Sequence, residues 1–376
     1  MRVLVVHHNP DGEITGAASM ARSTAAGLAA RGHSVVLQER CPGDTGVPRP
    51  GVPLWHGRET PAGWRPEIVH LVDLVDPECG RAARAAAWAA GCPLVVTPAT
   101  DLRLWQDREG GMEIARSADV VLTLTDEEGR RLQAGGVTAS RLAKIAQGPV
   151  LPDGGDPGRF RQRLAARGPL VLFLGRKLVT KGYQHLLAAA PSVLGRHPLA
   201  LFAFAGPDPD GTAGRLIAAV GDVRVIDLGV LSEGDKHSAL LAADILCLPS
   251  VVDAFPMVIT EAWWCRTAVV TSPFPGAREV VRDGIDGRIV DAEPAALAGA
   301  LNELLDDPQL LSTMAAAGQR RAQRQLRWDG IVEDIEVSYR RAQRGRGGGR
   351  GGGQGGGGHS GLPVAELAMD TSVAEA

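Results

Sequence analysis

Two acidic side chains, Asp253 and Glu261, stand with seven residues between them in the stretch Pro249–Glu279, PSVVDAFPMVITEAWWCRTAVVTSPFPGARE. The apolar run Ile245–Leu248 before it reads as a buried strand. A turn carrying Asp253 follows, and Pro256 then opens an apolar-periodic helix. Proline suits the first helical position because its missing N–H would have no helical acceptor anyway. The next amides, at Met257 and Val258, are then expected to point out of the helix N-terminus, a ready site for an anion. An anion site between two carboxylates suits a ligand that is part phosphate and part polyol, as a nucleotide sugar is. The plainer reading is an ordinary strand–turn–helix with surface acids. Upstream, Gly175 and Arg176 end one predicted strand, and Lys181 follows Arg176 after four residues. The arginine fork and the compact lysine charge together fit a diphosphate. They also fit two solvated cations on a loop.

The order of these features resembles glycosyltransferase family 4. The stretch around Asp253 is similar to that family's donor-site signature, PS-x-x-E-G-F-x-x-x-x-x-E-A, with Asp253 where the family usually has Glu and Ala254 where it often has Gly. FLGRKLVTKG resembles its G-R-x-x-x-x-K-G phosphate clamp, and PGAREVV matches its G-x-x-E at Gly276 and Glu279. The likeness runs over most of Met1–Arg341 and is strongest over Leu170–Val290. It implies a retaining transfer of a sugar from a UDP- or GDP-sugar to a hydroxyl acceptor. The leaving phosphate would help to deprotonate the acceptor, with no protein nucleophile. Arg176 and Lys181 would hold the β-phosphate, Glu261 the ribose hydroxyls and Asp253 the sugar hydroxyls, which makes Arg176, Lys181 and Asp253 the catalytic candidates. Gly175, Ala254, Phe255, Met257 and Val258 complete the implied donor site. Relatives often carry a histidine in text like V-V-T-x-H-D; LVVTPATDLRLW has Thr100 before Asp101 there. Thr100 and Asp101, with Gly12 and Gly16 of the first loop, are the candidates for the first domain's side of the cleft. An epimerase using the same clamp, or a non-catalytic partner subunit, are the competing functions.

The elements that must position these residues follow from patterning. Alternating apolar strands and helices predict an α/β chain with parallel, doubly wound sheets. Strands are expected at Arg2–Val6, Ser34–Leu37, Ile68–Val72, Leu94–Thr97 and Leu142–Ala146 in the first half, with a helix end followed by a further strand in Ala115–Thr125. In the second half they are expected at Leu170–Leu174, Leu199–Ala205, Val223–Asp227, Ile245–Leu248, Ala268–Thr271 and Arg288–Val290. Residues 1–150 form the expected acceptor domain and 151–342 the donor domain. A linker over Gly148–Gly158 joins them, and Trp328–Arg341 forms a last helix that in relatives crosses back. The family resemblance makes this a GT-B arrangement, two Rossmann-like domains facing across a cleft. Residues 343–376 include GRGGGRGGGQGGGG and read as a disordered tail, since such text cannot bury a core. No aromatic residue interleaves its arginines to stack bases.

With 376 residues there is room for two domains, and 44% hydrophobic against 22% charged residues predicts cores. A net charge of -3 argues against a dedicated nucleic-acid partner. Cys41, Cys79, Cys92, Cys247 and Cys265 form no C-x-x-C pair, which reads as reduced thiols in the cytoplasm. No leader or membrane span is expected, and peripheral contact with a membrane stays open because many relatives act on lipid-linked acceptors; a small molecule or glycan is an equally open acceptor. No cofactor or metal is expected, since cations and a helix end already face the diphosphate. His7, His8 and His70 fall at strand ends near the presumed cleft, where a lone histidine is more often structural.

Overall fold

The computed structural model describes residues 1–9, 15–40, 54–55 and 63–348. Gly12, Cys41 and the segment from residue 349 onward lie outside the described residues. The first seven strands are β1 Arg2–His8, β2 Ser34–Arg40, β3 Leu54–Trp55, β4 Ile68–Val72, β5 Leu94–Thr97, β6 Val120–Thr123 and β7 Leu142–Lys144. They form one sheet in the order β3-β2-β1-β4-β5-β6-β7. The remaining six are β8 Leu170–Leu174, β9 Leu201–Ala205, β10 Val225–Gly229, β11 Ile245–Leu248, β12 Ala268–Thr271 and β13 Arg288–Ile289. These form a second sheet in the order β10-β9-β8-β11-β12-β13.

The pairings in both sheets are parallel. Central strands β4, β5, β8 and β11 are buried along their whole length, as sheets covered by helices on both faces require. This is the two-domain GT-B architecture. In each sheet the strand order reverses once, between β1 and β4 and between β8 and β11. Ligands of doubly wound sheets bind beyond the carboxyl ends of the strands at that reversal. Arg176 follows β8 and Asp253 follows β11, so the second reversal gathers the donor candidates.

Several boundaries differ from expectation for physical reasons. Strand β1 extends through His7 and His8, which pair with Glu39 and Arg40. Leu199 and Val223 were expected to open strands; instead both are largely exposed, and β9 and β10 begin two residues later. The linker ends sooner than expected, because Asp156 caps a helix Pro157–Arg163 by accepting Arg159 N at 2.9 Å. Pro256 is the cap of helix Met257–Trp264, not its first residue.

The last helix runs from Trp328 to Gly348, past the expected end at Arg341. It returns to the first domain, where Ile331, Val332, Ile335 and Tyr339 join the core under β1 and β4. Arg31 Nε and His33 Nε2 each stand 2.8 Å from Glu336 Oε1. Arg31's bond holds the Glu336 carboxyl down to about 2. Phe255 packs against the cores of both domains, so the loop after β11 itself helps to join them. Among the described residues no helix is long and apolar enough to cross a membrane.

Candidate active site

Local backbone bonding explains why Lys181 meets Asp253. Val179–Lys181 forms one 3-10 turn closed by Gly182 at φ +74. A Cβ on Gly182 would come within 2.0 Å of Pro249 O, so only glycine allows this approach. Val251 N donates to Thr180 O at 3.0 Å, strapping the loop after β11 to the loop after β8. The result is an ion pair, Lys181 Nζ to Asp253 Oδ2 at 2.6 Å, with both side chains mostly buried. Neighbouring Lys177 turns inward to Asp227 at 2.5 Å, which leaves Arg176 as the exposed cation at the end of β8. Met257 and Val258 carry the first amides of helix Met257–Trp264, which have no acceptor within the helix. Ala254 lines the cavity beside Asp253.

Glu261 lies one turn further along, buried, and faces helix Glu233–Ala242. Lys236 on that helix reaches it at 3.1 Å, and also Glu233 at 2.8 Å and Val150 O at 3.3 Å. Burial pushes the Glu261 carboxyl up, and Lys236 opposes that shift without cancelling it. For Lys236, burial works to lower the ammonium's value, but Glu261 and Glu233 outweigh it and raise the value.

The first domain supplies the opposite wall. Asp73 follows β4 at φ +82, a conformation that side chains rarely adopt. Its Oδ1 accepts Leu74 N at 2.8 Å and Val75 N at 3.2 Å, and its Oδ2 accepts Thr100 Oγ1 at 3.1 Å. Burial lifts its carboxyl to about 6, against the pull of Thr100, the two amides and the charge of Arg176 from the other domain. Asp101 caps the 3-10 turn Leu102–Leu104 and pairs with Arg103 at 2.9 Å and Arg131 at 3.3 Å. Burial pushes its carboxyl up, but these arginines and the Arg103 amide prevail and hold it below the usual range. Glu128 accepts Leu124 N at 2.7 Å, and burial raises its carboxyl to about 7, helped by the charges of Asp101 and Asp73. An open cavity lies between the walls, bordered by Asp101, Trp105, Thr125, Glu128 and Arg131 on one side and Asp253 on the other.

Gly16 lies against the helix Met257–Trp264, where a Cβ would stand 3.7 Å from Met257 Sδ. The histidines do other work. His70 bridges Tyr339 Oη at 2.7 Å and Thr97 Oγ1 at 2.8 Å inside the core. His8 meets Asp76 at 2.7 Å, and His7 Nδ1 bonds Val72 O at 3.0 Å. Sequence reasoning missed Asp73, Glu128 and Lys236. Asp73 carries one usable signal, an acid directly after a predicted strand; Lys236 carries none. Among the described residues no group of three or more His, Cys, Asp or Glu side chains is placed to hold a metal ion.

Comparison with known proteins agrees with the fold. The model of glycosyl transferases group 1 matches residues 157–321, and that of the glycosyl transferase 4-like domain matches residues 15–148. D-inositol 3-phosphate glycosyltransferase of Acidothermus cellulolyticus is 31% identical over 310 residues, 74% of this chain and 68% of that protein. Phosphatidyl-myo-inositol mannosyltransferase of Mycobacterium tuberculosis is 36% identical over 207 residues, 50% of this chain and 53% of that protein. The crystal structure of Anabaena HepE in complex with UDP-glucose superposes with a TM-score of 0.75 at 20% identity, covering 90% of this chain and 99% of that one. Sucrose-phosphate synthase from Thermosynechococcus elongatus gives 0.73 at 19% identity, over 90% and 98%. The fold and the paired-domain match define a GT-B enzyme. The chain belongs to the group 1, family 4-type glycosyltransferases.

Proposed function

We propose that this glycosyltransferase moves a sugar from a UDP- or GDP-sugar to a hydroxyl acceptor with retention of configuration. The observation that carries the reading is the Lys181–Asp253 pair at 2.6 Å, set beside Arg176 at the strand-order reversal of the second sheet. Donor binding exchanges this pair for two better-matched contacts. Lys181 and Arg176 take the diphosphate with the first amides of helix Met257–Trp264, and Asp253 is released to accept sugar hydroxyls. Charge grows on the leaving diphosphate as the glycosidic bond breaks, so these cations stabilise the transition state more than the bound donor. Their charge and the helix dipole serve the role that a metal ion has elsewhere. Glu261, held by Lys236, accepts the ribose hydroxyls.

The acceptor enters the cavity between Asp253 and the first domain. Hydroxyl acceptors suit its walls, where carboxylates and Thr125 offer hydrogen-bond acceptors beside the apolar body of Trp105. The buried thiols of Cys92, Cys247 and Cys265, unbridged among the described residues, support a cytoplasmic setting. The test is product analysis with labelled UDP- and GDP-sugars against a panel of sugars, inositols and their phosphates, with and without excess EDTA. A new α-linked glycoside formed equally well with EDTA supports the reading. An inverted product, an epimerised donor, or a strict metal requirement for transfer would each overturn the corresponding part of it.

A further inference from the structure

Helix Asp126–Ala134 opens at Thr125, whose Oγ1 accepts Glu128 N at 3.1 Å. The two preceding amides have no acceptor within the helix. Their acceptor comes from the other domain. Glu279 Oε2 accepts Asp126 N at 2.6 Å, and Oε1 accepts Glu127 N at 2.9 Å. Lys144 and Arg130 stand 3.7 Å and 3.9 Å from the same carboxylate. Beside it Gly276, at φ +81, is so close to Thr125 that a Cβ would come within 2.9 Å of Cγ2. Arg321 braces the turn from behind, donating to Glu279 O at 3.2 Å and Val280 O at 2.6 Å. Among the described residues no bond joins Glu279 to Arg176, Lys181, Asp253 or Glu261. The helix it caps presents Thr125, Glu128 and Arg131 to the cavity opposite Asp253.

We propose that Glu279 is a positioning residue for sugar transfer. Carried by the donor domain, its carboxylate locks the first turn of the opposing helix and so holds the acceptor wall of the cavity against the sugar end of the donor site. Bonds from two helix amides to a carboxylate are charge-assisted and aligned with the helix dipole. Both break if the domains part, so the contact favours the closed cleft. A wall displaced by about 1 Å can slow a reaction on the order of a hundredfold while leaving remote binding intact. The inference rests on the donor-site reading above for its effect on turnover, whereas the closure it describes can be measured without that reading.

The experiment uses the full chain as wild type, Glu279→Ala and Glu279→Gln. Three quantities are read: affinity for UDP and GDP by calorimetry, the split of donor turnover between the acceptor panel and water, and the radius of gyration by small-angle X-ray scattering. Glu279→Ala is expected to keep nucleotide affinity within about twofold, since it leaves the donor contacts in place. Transfer falls roughly tenfold to a hundredfold, hydrolysis takes a larger share, and the radius of gyration rises. Glu279→Gln keeps an acceptor oxygen and recovers part of both losses. Unchanged transfer with unchanged scattering in Glu279→Ala overturns the proposal. So does a parallel loss of nucleotide affinity, which would make Glu279 a donor contact. A wild type that binds no nucleoside diphosphate refutes the donor-site reading instead, and the scattering comparison then still decides whether Glu279 holds the domains closed.

Discussion

Replacing Lys236 by Met isolates the support beneath Glu261. The methionine keeps most of the length and apolar stem of the lysine and removes its charge, with its bonds to Glu261, Glu233 and Val150 O. Lys236 stands 3.1 Å from a carboxylate whose side chain is 6% exposed, and is itself 15% exposed. Breaking such a buried pair from one side costs about 3–5 kcal/mol. Protonation of Glu261 relieves part of that cost, because burial already lifts its carboxyl above the ordinary range and Lys236 is what opposes the lift. A carboxyl that binds protons more tightly folded than unfolded loses stability as pH climbs from its ordinary value to the raised one. In Lys236→Met that raised value moves higher still, so the loss extends further toward alkaline pH. Ribose hydroxyls are held best by the ionised form. Nucleoside diphosphate affinity of the variant therefore falls, by about tenfold or more where the carboxyl is protonated, the worth of one charged hydrogen bond. It recovers only at higher pH than in the wild type. Calorimetric titration at several pH values reads this directly, and Lys236→Arg, which keeps a cation, should lie close to wild type. If Lys236→Met binds nucleoside diphosphate as wild type does at each pH, with unchanged thermal unfolding, the coupling of Lys236 to Glu261 is refuted.

Three further outcomes are expected. Arg176→Ala and Lys181→Ala each lower turnover by about 2.7–4 kcal/mol, a hundredfold to a thousandfold, and steady-state kinetics showing only a raised KM would count against a transition-state role. Glu128→Gln keeps the bond from Leu124 N and removes a carboxyl held at about 7 against an ordinary 4.5. The wild type loses stability as pH rises across that window, by about 3.5 kcal/mol at most at about 1.4 kcal/mol per pH unit. The variant should therefore unfold at higher temperature than wild type at pH 8 and match it near pH 4.5. Tyr339→Phe leaves His70 Nδ1 without its 2.7 Å partner inside the core and should cost about 1–3 kcal/mol in denaturant unfolding.

The donor candidates stood out because they are local in sequence. Asp253 and Glu261 share one loop and helix, and Arg176 and Lys181 share the loop after one strand. The resemblance gave Lys181 and Asp253, 72 residues apart, to different parts of one ligand; their ion pair went unread, and its cause is the close approach at Gly182. Contacts made across the fold left little trace. Lys236 reads as one more charge on a polar helix face. Glu128 reads as an acid in a helix's first turn, where acids are common. Glu279 matched a family position without disclosing that its partners are amides 152 and 153 residues away in the other domain. Thr100 stood out only as a departure, and the structure gives it a partner, Asp73. Parallel strands were read well where both faces are buried, as in β4, β5, β8 and β11. Apolar residues at exposed strand entrances, Leu199 and Val223, misled because hydrophobicity was read as burial.

In the proposed donor site Glu261 holds the nucleotide and Asp253 holds the sugar. Titrating nucleoside diphosphate and intact nucleotide sugar separately into wild type, Glu261→Ala and Asp253→Asn separates the two roles. Glu261→Ala should weaken both ligands by about tenfold or more. Asp253→Asn should leave the nucleoside diphosphate nearly unaffected and weaken only the intact donor. Equal affinity of Glu261→Ala and wild type for the nucleotide, or equal losses of both ligands in Asp253→Asn, would contradict these roles.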